Sequence, residues 1–173
     1  MKKRITFIAI ALSFLAFLIV CGYAVVDAVQ FDRNCEGHLK RAADANSIEM
    51  AQAELQIAID YIEAEDLDTG YTSIFYTTPD EDMGYWANNL REANNELKDM
   101  ISADTSSNLE KSNMLIKLRE TLLDHKGGDS GDQVTVPGGV SRYPNNATYM
   151  WLLLATTFSC VGFFIRLVVI DDY

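Results

Sequence analysis

The segment Cys35-Glu36-Gly37-His38 holds two residue types that commonly bind transition metals. A structural zinc site needs four ligands, and no second pair of Cys or His follows in the chain. Covalent haem attachment would require a further Cys before the His. The other two cysteines, Cys21 and Cys160, lie in apolar blocks, so we expect Cys35 to be a small buried thiol, with a Cys35–Cys35 bridge across a dimer as the alternative. We therefore expect no metal or cofactor here.

A second group of chemistry-bearing residues consists of four closely spaced carboxylates: Glu63, Glu65, Asp66 and Asp68. Carboxylate oxygens are the ligands that calcium prefers, but the EF-hand pattern is not met. Gly70 stands at the wrong position, and the closing Glu is absent. A run of charges is usually a solvated surface, so we interpret the group as a hydrated helix end.

The segment Gly128-Asp129-Ser130-Gly131 resembles the sequence around the nucleophile of serine proteases. That chemistry needs a histidine base and an aspartate that orients it, both held by a rigid scaffold. This serine lies in a glycine-rich stretch, and the two histidines of the chain are His38 and His125. We expect the chain not to be an enzyme and to have no catalytic residues and no cofactor.

Aromatic residues gather at residues 71–77, which we call the aromatic connection, and at the start of the segment that follows. One interpretation is a lid that packs over the end of a helical core, because aromatic side chains are mostly buried. The other is a surface for a partner, because Tyr and Trp are enriched at interface hot spots. The candidate interaction surface consists of Tyr71, Ile74, Phe75, Tyr76, Tyr85 and Trp86.

Charge and apolar residues are segregated along the chain, whose net charge is −11. Residues 5–26 and 149–170 are almost wholly apolar, whereas residues 27–148 hold 10 Lys and Arg against 23 Asp and Glu. Such an acidic segment repels phosphate backbones and anionic lipid heads. We therefore expect the partners to be the lipid bilayer and another membrane or envelope protein, or a second copy of this chain, and not nucleic acid.

The first apolar block, Ile5–Val26, has the length and composition of a transmembrane helix. Its 22 residues would form a helix of about 33 Å, and a bilayer core is about 30 Å thick. The basic residues Lys2, Lys3 and Arg4 also fit a cleaved signal peptide, but its apolar region is normally about 7–15 residues long. We therefore expect an uncleaved signal anchor.

The second block, Tyr149–Ile170, is the other predicted span. Tyr149 and Trp151 are aromatic residues suited to one membrane interface, and Arg166 lies near the other end, where its side chain can extend to the headgroups. Basic residues favour the cytoplasmic side. We therefore predict a multi-pass protein of the plasma or inner membrane with cytoplasmic ends and residues 27–148 outside the cytoplasm, anchored by Lys2, Lys3, Arg4, Tyr149, Trp151 and Arg166.

Three amphipathic helices are predicted between the spans. The first runs from about Ser47 to Asp66, with Asn46 as N-cap and Gly70 as stop signal. The second begins with Thr78-Pro79-Asp80-Glu81, which combines a capping box with Pro at the first helical position. The predicted buried faces are Ile48, Ala51, Leu55, Ala58, Ile59 and Ile62 in the first, and Met83, Trp86, Leu90, Ala93, Leu97 and Ile101 in the second.

The third helix is predicted from Ser107, with a capping box to Glu110, to about His125. Upstream, Asp27–Ala45 has helical spacing and is predicted to continue the first span outward. The expected apolar positions are Leu109, Leu115, Ile116, Leu118, Leu122 and Leu123 in the third helix, and Val29, Cys35, Leu39, Ala42 and Ala43 upstream.

These elements predict an all-α chain in which two transmembrane helices flank an extracytoplasmic antiparallel bundle of three to four helices. The predicted organisation is a cytoplasmic basic N-terminus at 1–4, a first span at 5–26, the bundle at 27–126, a tether rich in Gly and Pro at 127–148, a second span at 149–170 and a cytoplasmic tail at 171–173.

The leading functional hypothesis is an interaction, accessory or scaffold subunit in the cell envelope, because aromatic surface candidates occur without a catalytic constellation. The alternative is a ligand-sensing domain, since a helical bundle between two spans resembles in architecture the ligand-binding half of bacterial chemoreceptors and sensor kinases. Only Asp171, Asp172 and Tyr173 follow the second span, so we expect sensing to require a separate partner protein. A small oligomeric channel is a weaker alternative, because the spans have few polar residues.

Overall fold

The computed structural model of the chain describes residues 2–75, 77–103, 107–124, 133–140 and 147–171. Most of these residues are helical, which confirms the prediction of an all-α chain. The helices are α1 (Lys2–Phe31), α2 (Gly37–Ala43), α3 (Ile48–Ala64), α4 (Met83–Ala103), α5 (Asn108–Leu122) and α6 (Ala147–Asp171), with a π-helical turn at Asp32–Glu36 and a 3-10 turn at Pro79–Glu81. Two short strands, β1 (Leu123–Asp124) and β2 (Gln133–Val134), pair antiparallel.

The chain divides into two compact units, one formed by Met1–Asp27 with Asn146–Tyr173 and the other by Ala28–Asn145. Two helical stretches, Arg4–Ala43 and Ala147–Arg166, are long and apolar enough to cross a membrane. They include most of the two predicted spans.

In the first unit, polar contacts between described residues join α1 to α6. The Ser13 hydroxyl donates to the backbone oxygen of Thr156 at 3.4 Å, and the Tyr149 hydroxyl donates to that of Val20 at 3.5 Å. Large apolar side chains such as Phe7, Phe14 and Phe158 are exposed on this unit. An exposed apolar surface of this kind is suited to lipid.

The second unit is built around one hydrophobic core. Helix α3 lies at its centre and contacts both α2 and α4. It buries the six residues that the sequence periodicity predicts for its inner face. In α4, Met83, Trp86, Leu90 and Leu97 are buried, again as predicted, while Ala93 and Ile101 are partly buried against the core.

Helix α3 begins one residue later than predicted and ends before Gly70. The Ser47 hydroxyl, not Asn46, caps its first turn by accepting from the backbone N–H of Met50 at 3.2 Å. At its end, Asp66 adopts a left-handed conformation with φ 54°. The backbone N–H of Leu67 then donates to Ile62 O at 2.8 Å and that of Asp66 to Glu63 O at 3.3 Å. These two bonds form a Schellman motif, in which an aspartate takes the position usually occupied by glycine.

Helix α4 also begins later than predicted. The Glu81 carboxylate accepts from the backbone N–H of Thr78 at 3.3 Å and from its hydroxyl at 3.0 Å, but this capping contact closes only the 3-10 turn. Asp82 is extended, with ψ 105°, and its carboxylate accepts from the backbone N–H of Tyr85 at 3.0 Å. Asp82 is thus the residue that caps α4.

Helix α5 has the predicted capping box but a different buried face. Ser107 and Glu110 exchange hydrogen bonds of 2.7 and 3.3 Å between backbone N–H groups and side chains. Met114, Leu118 and Leu122 are buried. Leu109 and Ile116, which were predicted to be apolar core positions, are exposed, and so is Val29 upstream. The prediction was wrong for Leu109 and Ile116 because residues seven apart form a stripe on either side of a helix, and contacts with neighbours decide which side is buried. Val29 lies on an exposed side of α1.

The turn that joins α1 to α2 is wider than an α-helical turn. The backbone N–H of Gly37 donates to Asp32 O, five residues back, as in a π-helix. A methyl group on Gly37 would lie 3.3 Å from that oxygen, which is a tight contact. The turn buries Cys35 in the core together with Phe31 and Leu39.

Part of the segment predicted to be a tether packs on the core. Val134, Val136 and Val140 are partly buried against it, and Pro137 is buried. The backbone N–H of Thr135 donates to Leu122 O at 2.8 Å, which continues the pairing of β1 with β2. Residues 133–140 therefore contribute to the fold of this unit, and the prediction of a flexible tether does not describe them. Residues 125–132 and 141–146, including Gly128-Asp129-Ser130-Gly131 and His125, lie outside the described part of the chain.

Candidate functional site

The aromatic connection is joined to the beginning of α4 by backbone hydrogen bonds. Tyr71 pairs with Asp82 in an isolated antiparallel bridge. On either side of this pair, the N–H of Thr72 donates to Glu81 O at 3.1 Å and the N–H of Met83 donates to Gly70 O at 3.0 Å. Gly70 has φ 83°, a conformation that favours glycine, at the point where the chain enters this bridge. The base of the connection is thus held in place by main-chain bonds.

The predicted surface residues differ widely in exposure. Phe75 and Tyr85 are about two-thirds exposed, at 68% and 66%. Tyr71 and Ile74 are half-buried. Tyr76 lies outside the described residues. Among the described members of this group, Phe75 and Tyr85 are the aromatic side chains that are largely exposed.

Trp86 does not belong to an exposed surface, which corrects its place in the predicted set. Its side chain is buried, and its ring lies 6.5 Å from that of Phe31, measured between centroids. The indole N–H donates to Thr135 O at 3.1 Å. An indole is buried at low cost when its N–H finds an acceptor, so Trp86 is a core residue.

Acidic residues precede and follow the aromatic connection in the sequence, and Arg91 of α4 contacts two of them. Its guanidinium lies 2.6 Å from Asp68 and 2.9 Å from Glu63. The hydrogen bonds to Asp68 and then Glu63 raise the pKa of Arg91 above its usual value. The side chains of Asp66 and Asp80 are exposed. Among the described residues, no group of three or more His, Cys, Asp and Glu is placed to hold a metal ion.

A cleft of about 460 Å³ opens between the π-helical turn and the short strand pair. Burial, and next the nearby Asp32 carboxylate, raise the pKa of Glu36 in its wall. This cleft was not predicted from the sequence, because one of its walls comes from the segment 127–148 that was predicted to be a tether. The alternation in Gln133-Val134-Thr135-Val136 was the available signal for a strand there. The lining residues are Asp32, Glu36, Gly37, Lys40, Asp124 and residues 133–136.

Cys35 and His38 were the two potential metal ligands of the segment 35–38. Cys35 is buried in the core, and His38 contacts a carboxylate. Cys35 has no exposed surface, and its burial, followed by the charge of Glu36, raises the pKa of its thiol. His38 Nδ1 lies 2.6 Å from a Glu54 carboxylate oxygen, and the other oxygen contacts Arg41 at 2.5 Å. This three-residue group links α2 to α3.

The predicted membrane anchors all fall on the two apolar helices. Lys2, Lys3 and Arg4 lie in the first turn of α1, and Arg166 lies in the last two turns of α6. The side chains of Arg4, Trp151 and Arg166 are exposed, and that of Tyr149 is half-buried. Their role at a membrane interface stays a prediction.

Comparison with known proteins gives no relative from which a function could be transferred. No family model matches the chain, and no curated protein or solved structure is significantly similar to it.

Proposed function

We propose that the chain is a membrane-anchored interaction or accessory subunit of the cell envelope. In this proposal α1 and α6 cross the plasma or inner membrane, both ends are cytoplasmic, and residues 27–148 lie outside the cytoplasm. Helices α2–α5 form an antiparallel bundle that presents the aromatic connection to another protein. The basic residues of the first turn of α1 and Arg166 support this orientation.

The main support for the proposal is that Phe75 and Tyr85 are exposed next to a segment whose backbone is held by the Tyr71–Asp82 bridge. A large aromatic side chain that is exposed to water does not gain the favourable free energy that its burial would provide. Protein interfaces use such residues as anchors, particularly when the backbone that carries them is already ordered, because less conformational entropy is then lost on binding.

The orientation is tested by labelling single-cysteine variants of the full chain in intact cells with a membrane-impermeant maleimide. Ser112→Cys places the thiol on the exposed side of α5, and Tyr173→Cys places it at the end of the sequence without removing a basic residue. The proposal predicts labelling of the first variant in intact cells and of the second only after lysis. Labelling in the reverse pattern would contradict the orientation.

The interaction is tested by affinity purification of the full chain in mild detergent. The double variant Phe75→Ala/Tyr85→Ala should lose a co-purifying protein that the wild type retains. Leu109→Ala/Ile116→Ala is a matched control, because these side chains are also large, apolar and exposed but lie on α5. Recovery of the chain alone at several expression levels, or equal loss in both variants, would contradict the proposal.

Ligand sensing is the second candidate, and the cleft beside the π-helical turn is the observation that favours it. Its volume falls in the range of about 300–1,000 Å³ that is usual for small-molecule sites. A ligand bound there must raise the melting temperature of the full chain. A screen of small metabolites should find a shift that Lys40→Ala or Asp124→Asn abolishes, and the absence of any such shift would remove this candidate.

A further inference from the structure

We propose that the partner docks on Phe75 and Tyr85 through a segment rich in lysine and arginine. This inference rests on the proposed function, since it names the chemistry of the partner that the aromatic connection takes. Phe75 and Tyr85 lie four and three residues after Tyr71 and Asp82, which pair in the antiparallel bridge, and the exposed carboxylates Asp66 and Asp80 lie five and two residues before them. We call these four side chains the acidic aromatic surface.

Charge complementarity selects a basic occupant. Residues 63–82 contain seven Asp and Glu and no Lys or Arg. Arg91 reaches this region from α4 and contacts two of the seven, Glu63 and Asp68. The region as a whole is therefore negative, and it raises the local concentration of cations while it repels acidic segments.

The two aromatic side chains favour cations in a second, independent way. The face of a Phe or Tyr ring attracts an ammonium or guanidinium group, and the attraction is greatest when the pair loses water. Arginine fits both parts of this surface, because its planar group stacks on a ring and binds a carboxylate through two hydrogen bonds. An apolar partner would displace water from the nearby carboxylates without providing hydrogen bonds or positive charge in its place.

The position of the acidic residues at a helix start explains only part of the pattern. Glu81 closes the 3-10 turn and Asp82 caps α4, so both have a local structural role. Helix capping does not account for the exposure of Phe75 and Tyr85. Asp66 is part of the cap of α3, but capping alone would favour glycine at its left-handed position. The combination of exposed rings with exposed carboxylates is what a basic segment would match.

Photo-cross-linking in membranes of the native host identifies the occupant directly. The full chain carries the aromatic cross-linker p-benzoylphenylalanine at position 75 or 85, or at Leu109 as the control position. Mass spectrometry of the adduct then gives the sequence of the linked peptide. The proposal predicts a peptide of another protein that contains several Lys or Arg residues, linked from positions 75 and 85 and not from 109.

The other outcomes separate the two proposals. A linked peptide of another protein without basic residues, or one from a second copy of this chain, overturns the basic partner and leaves the interaction function standing. Adducts to lipid alone, or no adducts at all, overturn both the basic partner and the interaction surface.

A peptide of ten alternating Arg and Ala residues provides a quantitative probe of the surface. Its affinity for the full chain in uncharged detergent is measured by fluorescence anisotropy. Phe75→Ala/Tyr85→Ala should weaken binding by about fivefold or more, as expected for the loss of two exposed cation–π contacts. Tyr85→Phe keeps the ring and should bind like the wild type.

A matched pair of variants separates local recognition from overall charge. Asp66→Asn/Asp80→Asn and Asp99→Asn/Glu120→Gln each remove two exposed carboxylates, and the second pair lies in the last two turns of α4 and on α5. Asn tolerates the left-handed conformation of residue 66, so the fold is retained. The first pair should weaken binding and the second should not. Equal weakening by both would show a diffuse attraction and overturn the proposal.

Discussion

The indole N–H of Trp86 donates a hydrogen bond of 3.1 Å to the backbone oxygen of Thr135. This contact joins the beginning of α4 to a segment 49 positions further along the chain. Trp86 also packs near Phe31, so its side chain connects the end of α1, the beginning of α4 and Thr135, which directly follows β2. Its neighbour Tyr85 is exposed, and the two adjacent aromatic residues therefore have different roles.

Substitutions at these neighbours should separate stability from binding. Trp86→Phe keeps an aromatic ring but leaves Thr135 O without its donor, so we expect a loss of about 1–3 kcal/mol in the free energy of unfolding. Tyr85→Ala should change it by less than about 0.5 kcal/mol, because the side chain is exposed. Thermal unfolding of the full chain in detergent, followed by circular dichroism, measures both. Equal destabilisation would contradict the assignment of Trp86 to the core and Tyr85 to the surface.

The end of α3 offers a substitution that should stabilise the protein. Asp66 has φ 54°, a conformation that costs residues with a Cβ free energy and costs glycine almost none. Asp66→Gly should raise the free energy of unfolding by about 0.5–1 kcal/mol, after allowance for the greater entropy of glycine in the unfolded chain. Asp66→Val is the opposite control, because a β-branched residue is strained at positive φ. A lower melting temperature for Asp66→Gly than for Asp66→Val would contradict this account.

Cys35 should react slowly with thiol reagents in the folded protein. Its side chain is wholly buried, and burial raises the pKa of the thiol, so both access and the thiolate fraction are low. In a Cys21→Ala/Cys160→Ala background, N-ethylmaleimide should modify Cys35 only after denaturation, as measured by intact mass. Rapid labelling of the folded chain would contradict the burial of Cys35. A disulfide-linked dimer on a non-reducing gel would favour the alternative of a Cys35–Cys35 bridge.

Periodicity predicted the buried faces of α3 and α4 because each of these helices packs between other elements and has one clearly apolar side. It predicted α5 less well, since Leu109 and Ile116 form an apolar line of their own, yet the core contacts Met114, Leu118 and Leu122. The capping signal at Thr78 predicted the right contact but the wrong start of the helix. Glu81 does contact Thr78, but α4 begins only after Asp82. Local signals define a turn, but the Tyr71–Asp82 pairing decides where the helix starts.

The π-helical turn and the cleft could not be predicted from the same patterns. A π-helical turn has no strong sequence signature, and its single clue here is Gly37, which leaves room for the oxygen of Asp32. The second wall of the cleft contains β2, which is a strand because it pairs with β1. The Gly and Pro residues near β2 had instead predicted irregular structure. Tertiary contacts also decided which of the adjacent residues Tyr85 and Trp86 is exposed. Trp86 packs near Phe31 and donates a hydrogen bond to Thr135, and it is therefore buried.

The cleft provides a prediction about pH, because the pKa of Glu36 is raised by burial and by the neighbouring Asp32 carboxylate. A raised pKa means that the folded state binds the proton more tightly than the unfolded state. Ionised Glu36 therefore reduces stability at neutral pH. As pH falls through the raised pKa and then through the usual value of about 4.3, this destabilisation disappears.

Glu36→Gln removes the ionisable group, so it should raise the melting temperature at pH 7 and have progressively less effect as the pH approaches 4. The gain at pH 7 should be less than about 1 kcal/mol, because Glu36 is partly solvated and water screens the interaction. Melting curves of the full chain between pH 4 and 8 measure the difference. Glu92→Gln is the control for net charge, since Glu92 is exposed on α4. Asp32→Asn should reproduce part of the gain, and a gain from Glu92→Gln as large as that from Glu36→Gln would assign the effect to total charge instead of the cleft.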